Sequence, residues 1–307
     1  MESLSWSTDC IESVKRMIDN HVRHDNARSA GRREVWNGGY MKVVILAGGY
    51  GTRISEESHL RPKPMIEIGG KPILWHIMKE YSYHGFNDFV ICAGYKQHVI
   101  KEWFANYYLH NSDITFDFTD ENRMTVHNNV AEPWKVTIVD TGLDTMTGGR
   151  IRRVRKYIGD EAFMLTYGDA VCTIDMNDLL RFHKETGKIA TITAIRFGQR
   201  FGVLELDPES KLITSFREKE ETDSARINGG YMVLEPKVFD YLEDDSTVFE
   251  QKPMRQLAKD GELNAYEYDG FWQCMDTKRE HDLLDHMIET GKAPWIVWET
   301  SKTDPQA

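Results

Sequence analysis

The residues with the clearest chemical reading lie at 45–53, which spell ILAGGYGTR. Gly48, Gly49 and Gly51 follow an apolar run and are followed in turn by Thr52 and Arg53. Without Cβ atoms in the way, backbone N–H groups of such a loop can approach phosphate oxygens closely. Arg53 adds a forked cation suited to the β- and γ-phosphates of a nucleoside triphosphate. Further on, RPKPM places Lys63 between Pro62 and Pro64, which stiffen the chain on both sides. An isolated surface lysine is ordinarily just solvated. One held rigid beside a phosphate loop is a candidate catalytic cation.

Two common phosphate loops do not fit. A dinucleotide fingerprint needs a third glycine, and Ile54 follows Arg53 instead. It also needs an acidic residue ending a second strand some 20 residues on, where Ile68 and Gly69 stand here. A Walker loop needs lysine after its last glycine, and none is present. A tight turn explains one or two glycines, but not three leading into Thr52, Arg53 and the proline-flanked lysine. The remaining reading is a nucleotidyltransferase signature. The net charge of −11 argues against nonspecific nucleic-acid binding and makes the cations around the loop local and informative.

The elements that must carry these residues alternate regularly from Met41. KVVILAGG reads as a parallel strand buried on both faces. KPILWHIMKEYSYHG spaces Ile73, Leu74, Ile77, Met78 and Tyr81 along one helix face and stops at Gly85. Strand DFVICAGY, helix KQHVIKEWFANYYL, strand KVTIVDTG, the basic segment GGRIRRVRKYIGD read as one helix, strand AFMLTYGDA, helix MNDLLRFHKETG and strand IATITAIRF follow. This succession predicts an α/β fold with a doubly wound, mostly parallel Rossmann-like sheet. Beyond residue 200 the style changes, and a hairpin around Asp207-Pro208, INGGYMVLEP, LNAYEYDGFWQCMD and a closing helix from about Thr277 to Gly291 form a second part. The expected organisation is a helical arm and linker at 1–40, dispensable for chemistry, with translation able to start at Met41. A nucleotide-binding core at 41–200, a further part at 201–299 and a tail at 300–307 follow. Residues 113–135 are too long for a plain connection, and read as a surface hairpin, as a flap closing over a site or as a segment reaching a neighbouring subunit. Four scattered cysteines without zinc spacing, no apolar run of membrane-span length and no secretory leader predict a soluble cytoplasmic protein with reduced thiols, without nucleic-acid or membrane partners.

LAGGYGTR, RPKPMIEIGGKPILWHIM, NRMTVH, VDTG, MTGGRIRRV, TYGDA, RFGVLELD, INGGYMVLEP and FWQCMDT together resemble the glucose-1-phosphate cytidylyltransferases, a branch of the sugar-phosphate nucleotidyltransferases. The likeness runs from Met41 to about Glu299. It implies CTP and glucose 1-phosphate as substrates, CDP-glucose and pyrophosphate as products, Mg²⁺ as cofactor, and a role in 3,6-dideoxyhexose synthesis for surface polysaccharide. It implies a symmetric homo-oligomer, a hexamer among the candidates. Carried over by position, Leu46, Ala47, Gly48, Gly49, Tyr50, Gly51, Thr52 and Arg53 would wrap the nucleotide. Lys63 would contact the α-phosphate and the sugar phosphate. Thr145, Arg150 and Gly168 would add nucleotide contacts, Asp169 and Asp276 would ligate the metal, and Glu218, Lys219, Asn228 and Gly229 would face the sugar. Ala170 stands where the family has glycine, and Glu220 and Cys274 stand where it has proline.

In-line displacement at an α-phosphorus by an already anionic phosphate needs no activated Ser, Cys or His. Catalysis is then positioning and electrostatics, and none of the 11 histidines is assigned a role. Two aspartates suit Mg²⁺, which takes a few carboxylates alongside phosphate oxygens and water. Asp169, after a strand, lies where open α/β sheets bind ligands, whereas Asp276 before Thr277 reads equally as a helix cap. The residues leave open UTP or dTTP in place of CTP, a catalytically silent sugar-nucleotide-binding regulator, and which group reads the base.

Overall fold

The computed structural model describes residues 41–51, 60–119, 123–196, 203–206, 213–217 and 226–299. The arm at 1–40, Thr52, Arg53, Glu218, Lys219 and Glu220 lie outside them. Along the chain run β1 (Lys42–Ala47), a single 3₁₀ turn at Lys63–Met65, β2 (Glu67–Ile68), β3 (Lys71–Pro72), α1 (Ile73–Tyr83), β4 (Asp88–Ala93) and α2 (Gln97–His110). Next come β5 (Ser112–Asp117), β6 (Arg123–Asn129), β7 (Lys135–Asp140), α3 (Thr147–Arg153), α4 (Arg155–Ile158), β8 (Phe163–Tyr167), β9 (Ala170–Cys172), α5 (Met176–Thr186) and β10 (Ala190–Arg196). Then follow β11 (Val203–Leu206), β12 (Ile213–Arg217), β13 (Arg226–Leu234), a 3₁₀ helix at Pro236–Tyr241, α6 (Lys252–Lys259), β14 (Leu263–Tyr268), β15 (Trp272–Cys274) and α7 (Lys278–Glu289).

Seven strands form the main sheet in the order β14-β10-β13-β8-β1-β4-β7. β13 runs antiparallel to both neighbours, and the other neighbouring pairs are parallel. β1 lies near the middle, and its Val43, Val44 and Ile45 are fully buried, as its unbroken apolar run requires. One core layer joins α1, through Ile73, Ile77 and Tyr81, to Phe89 and Trp295. The other packs Ile151, Val154 and Ile158 of the α3–α4 segment against Val44, Phe163 and Phe239. The helical succession read from the sequence holds, with two refinements. The basic segment is two short helices broken at Val154, not one. LNAYEYDGFWQCMD divides between the main sheet and a separate two-stranded ladder, β15 on β9. Ser112–Asp117 and Arg123–Asn129 pair antiparallel with their faces largely in solvent, as the surface-hairpin reading had it.

Candidate active site

The glycine loop leaves the C-terminal end of β1 beside the ends of β4, β7 and β8, the edge where open α/β sheets carry their ligands. A cavity of about 600 Å³ opens there, and Leu46 to Gly51, Lys63, Thr145, Arg150, Gly168, Asp169 and Asp276 all line it. Gly168 is required sterically: an added Cβ would stand 2.9 Å from the Pro64 ring and 3.2 Å from the Leu46 carbonyl. Its N–H donates to that carbonyl at 3.1 Å, locking the strand end carrying Asp169 against the loop.

Lys63 is the electrostatic centre of the cavity floor. Its Nζ donates to Asp169 Oδ2 at 2.6 Å and to Asp276 Oδ1 at 2.5 Å. The two carboxylates are distant in sequence and meet because β9 and β15 pair antiparallel, with Ala170 opposite Cys274. Asp169 immediately precedes one strand, Asp276 closely follows the other, and the Met275 N–H donates to the Asp169 carbonyl at 2.8 Å. Asp276 does not cap α7. Thr277 does, in a reciprocal box with Glu280, whose carboxylate also accepts the Asp276 N–H at 2.8 Å. The Asp276 side chain is thereby left to the cavity. Burial draws the Lys63 pKa down, but the charges and hydrogen bonds of Asp169 and Asp276 outweigh it and hold the pKa above its ordinary value.

Arg150 lines the cavity and also binds the loops around it. Its guanidinium is buried and donates to Thr141 Oγ1 at 2.7 Å and to the carbonyls of Gly142, Gly48 and Leu143 at 2.8, 3.1 and 3.1 Å. One side chain thus ties the glycine loop to the loop after β7. Gly48 must lack a Cβ because that atom would stand 2.1 Å from the same guanidinium. The glycines before Arg150 serve another contact. Gly148 and Gly149 donate to the Thr247 carbonyl at 2.9 and 3.2 Å, and a Cβ on Gly149 would stand 2.6 Å from the Asp245 backbone. The 244–249 segment therefore seats directly on the start of α3.

Asp144, Thr147, Tyr167 and Glu250, around the cavity, escaped the sequence reading. Tyr50 at the loop tip donates to Asp144 at 2.8 Å across the mouth. Tyr167 and Thr147, both lining the cavity, donate to the two oxygens of Glu250 at 2.5 and 2.6 Å. Burial and the Glu250 charge push the Tyr167 phenol well up, so it stays protonated. Asn228 and Gly229 do not line the cavity. Asn228 accepts the Gly230 N–H at 2.9 Å and Gly229 accepts the Trp272 indole N–H at 2.7 Å, behind the Tyr167 wall. A paired hydroxyl, a carboxylate from a loop and a tyrosine at a strand end carry no spacing signature, so no local signal was there to find.

The profile of the family described as nucleotidyl transferase matches residues 42–288. Two curated glucose-1-phosphate cytidylyltransferases, from Salmonella typhi and Salmonella typhimurium, are each 56% identical over 260 residues, spanning 84% of this chain and 100% of theirs. Among solved structures, HddC from Yersinia pseudotuberculosis has a TM-score of 0.60 at 23% identity, over 81% of this chain and 99% of that one. At that identity the likeness speaks to the fold.

Proposed function

The chain belongs to the nucleotidyl transferase family, and from that premise we propose that it is a glucose-1-phosphate cytidylyltransferase, forming CDP-glucose and pyrophosphate from CTP and glucose 1-phosphate. The observation that carries this reading is Lys63 held between Asp169 and Asp276 on the floor of a glycine-walled cavity, in a chain 56% identical to whole cytidylyltransferases.

Each residue then has a physical task. The loop from Leu46 to Gly51 offers backbone N–H groups to the triphosphate. Lys63 brings its fixed charge to the α-phosphate, where two anions must be brought together. Arg150 holds the loop in shape, and Gly168 lets Pro64 and Leu46 close on it. The 3₁₀ turn that starts at Lys63 has Pro62 as its N-cap and Pro64 inside, so the ammonium is preorganised. The donor set fits Mg²⁺: two carboxylates converge, no larger acidic, His or Cys cluster occurs among the described residues, and Mg²⁺ binds through one or two carboxylates with phosphate oxygens and water. Asp169 and Asp276 would hold it, and when bound it supplies neutralisation of phosphate charge. Arg53 and Thr52 complete the loop in this reading, and Glu218, Lys219, Asn228 and Gly229 belong to its sugar side.

We further place the enzyme in the cytoplasm, which the buried free thiols of Cys92 and Cys172 suit. We infer a homo-oligomer, supported by Phe116 and Phe118, stacked on one another and exposed on the β5–β6 hairpin. CDP-glucose so made would supply 3,6-dideoxyhexose synthesis. The deciding experiment is a panel of CTP, UTP, dTTP, ATP and GTP with glucose 1-phosphate, Mg²⁺ and pyrophosphate readout. Preferred turnover of CTP supports the reading, and preferred UTP or dTTP overturns the choice of base.

A further inference from the structure

Glu80 sits on α1 in the closed core, and the active site uses none of its atoms directly. Its carboxyl nevertheless ends under the strand that follows Asp169. The Cys172 N–H donates to Glu80 Oε1 at 3.0 Å. The Tyr231 hydroxyl oxygen lies 2.9 Å from Glu80 Oε2 and 2.7 Å from the Ala170 carbonyl oxygen. Both ends of the three-residue strand β9 are thus held from the core side, while β15 holds its other edge.

The hydrogens of this cluster can be counted. Tyr231 has one hydroxyl proton and two oxygens within hydrogen-bond reach. The Ala170 carbonyl can only accept. If the Glu80 carboxyl were ionised it too could only accept, and one of the two short oxygen–oxygen contacts would have no proton in it. A proton on Glu80 Oε2 resolves this: Glu80 donates to Tyr231, Tyr231 donates to Ala170, and Glu80 Oε1 accepts from Cys172. The Cys172 thiol, 3.8 Å from Oε2, is too weak a donor to take that place. The surroundings agree. Burial raises the Glu80 pKa well above the carboxylate range, and the groups that oppose it are Cys172 and Tyr231, neither of them a cation.

We propose that Glu80 carries a proton at neutral pH and acts, through Tyr231 and β9, as the positioning residue for Asp169. This rests on the reading of Asp169 as a metal carboxylate given above. A neutral acid is the suitable group because it has a donor and an acceptor in one planar head, whereas a carboxylate buried without a cation is strongly disfavoured. The arrangement makes the placement of Asp169 independent of bulk pH.

Three variants and one spectrum test this. Glu80→Gln keeps a neutral head with a donor and an acceptor, and is expected to keep wild-type kcat. Glu80→Leu removes both and is expected to lower kcat by about 10- to 100-fold and to raise the Mg²⁺ concentration for half-maximal rate, with a smaller change in KM for CTP. Tyr231→Phe breaks the relay at its middle and is expected to act in the same direction, which keeps the test open if Glu80→Leu does not fold. Difference infrared spectroscopy of wild type against Glu80→Gln at neutral pH is expected to show a protonated-carboxyl band in the wild type alone. Equal impairment of Glu80→Gln and Glu80→Leu, wild-type kinetics in both Glu80→Leu and Tyr231→Phe, or absence of the band would each overturn the proposal. Wild-type turnover in the nucleotide panel, run alongside, shows separately whether the assigned reaction stands, and the infrared band does not depend on it.

Discussion

At the scale of single residues, the cavity holds one cation between two carboxylates and another among backbone carbonyls. Lys63 faces two carboxylates, and Lys63→Ala is expected to cut kcat by about 10²–10³-fold, measured by pyrophosphate release. Its pKa is raised on folding, so the stability it contributes is fully present below the unfolded lysine value of about 10.4 and is lost as pH rises through the folded value. The kcat profile should accordingly show no limb from Lys63 between about pH 6 and 9. Arg150 holds backbone carbonyls, and a lysine there has one point charge in place of a fork. Arg150→Lys is expected to lower stability by about 1–3 kcal/mol, as buried carbonyls lose their donor, and to raise KM for CTP more than it lowers kcat; thermal melts and steady-state kinetics read the two effects. The sequence singled out Lys63 and the glycine loop by local features, prolines and glycines, and Asp169 by its place after a strand, and all of them line one cavity. It gave Arg150 a nucleotide contact but not its hold on the loops, since the carbonyls it binds belong to Gly48, Gly142 and Leu143, and only the folded chain brings them to one point.

At the scale of elements, strands and helices were legible because apolar runs and 3.6-residue periodicity mark them. The pairing of β9 with β15 was not, because both strands have three residues and no period to read. That ladder also brings together two departures from the pattern the resemblance implies. Ala170 and Cys274, in place of glycine and proline, are register partners, so the two changes meet at a single rung. A similar docking closes the other end of α1. Trp295, fully buried, donates its indole N–H to His76 Nδ1 at 3.4 Å, while His76 Nε2 donates to the Ile68 carbonyl at 3.0 Å. Both ring nitrogens are engaged only in the neutral tautomer, and burial, ahead of the Lys71 charge, brings the His76 pKa down to about 4. A histidine whose pKa falls on folding binds more protons when unfolded. Stability is therefore fully present above about pH 6.5 and falls as pH drops towards 4. Tryptophan fluorescence under urea, repeated across that range, should show the midpoint falling with acid, and His76→Gln should flatten the trend.

At the scale of the whole molecule, the family match spans residues 42–288, and the full length of the Salmonella relatives is covered by 84% of this chain. Residues 1–40 lie outside that match. A protein starting at Met41 is expected to keep kcat and both KM values, measured beside the full chain in the same assay; a lost activity would assign the arm a part in the site. The cavity draws on β1, the Lys63 turn, the ends of β7 and β8, the 244–250 segment and residue 276, so its parts span most of the described chain. That has a consequence in time. A chain growing at about 5–20 residues per second presents its phosphate loop, Lys63 and Asp169 many seconds before Asp276 exists, and β9 has no partner until residues 272–274 emerge. Four strands of the main sheet, β1, β4, β7 and β8, are complete while the second carboxylate is still unmade. On the proposed function, the site is completed only by one short strand near the end of synthesis, and a chain ending before residue 272 is expected to show no turnover of triphosphate in the pyrophosphate assay.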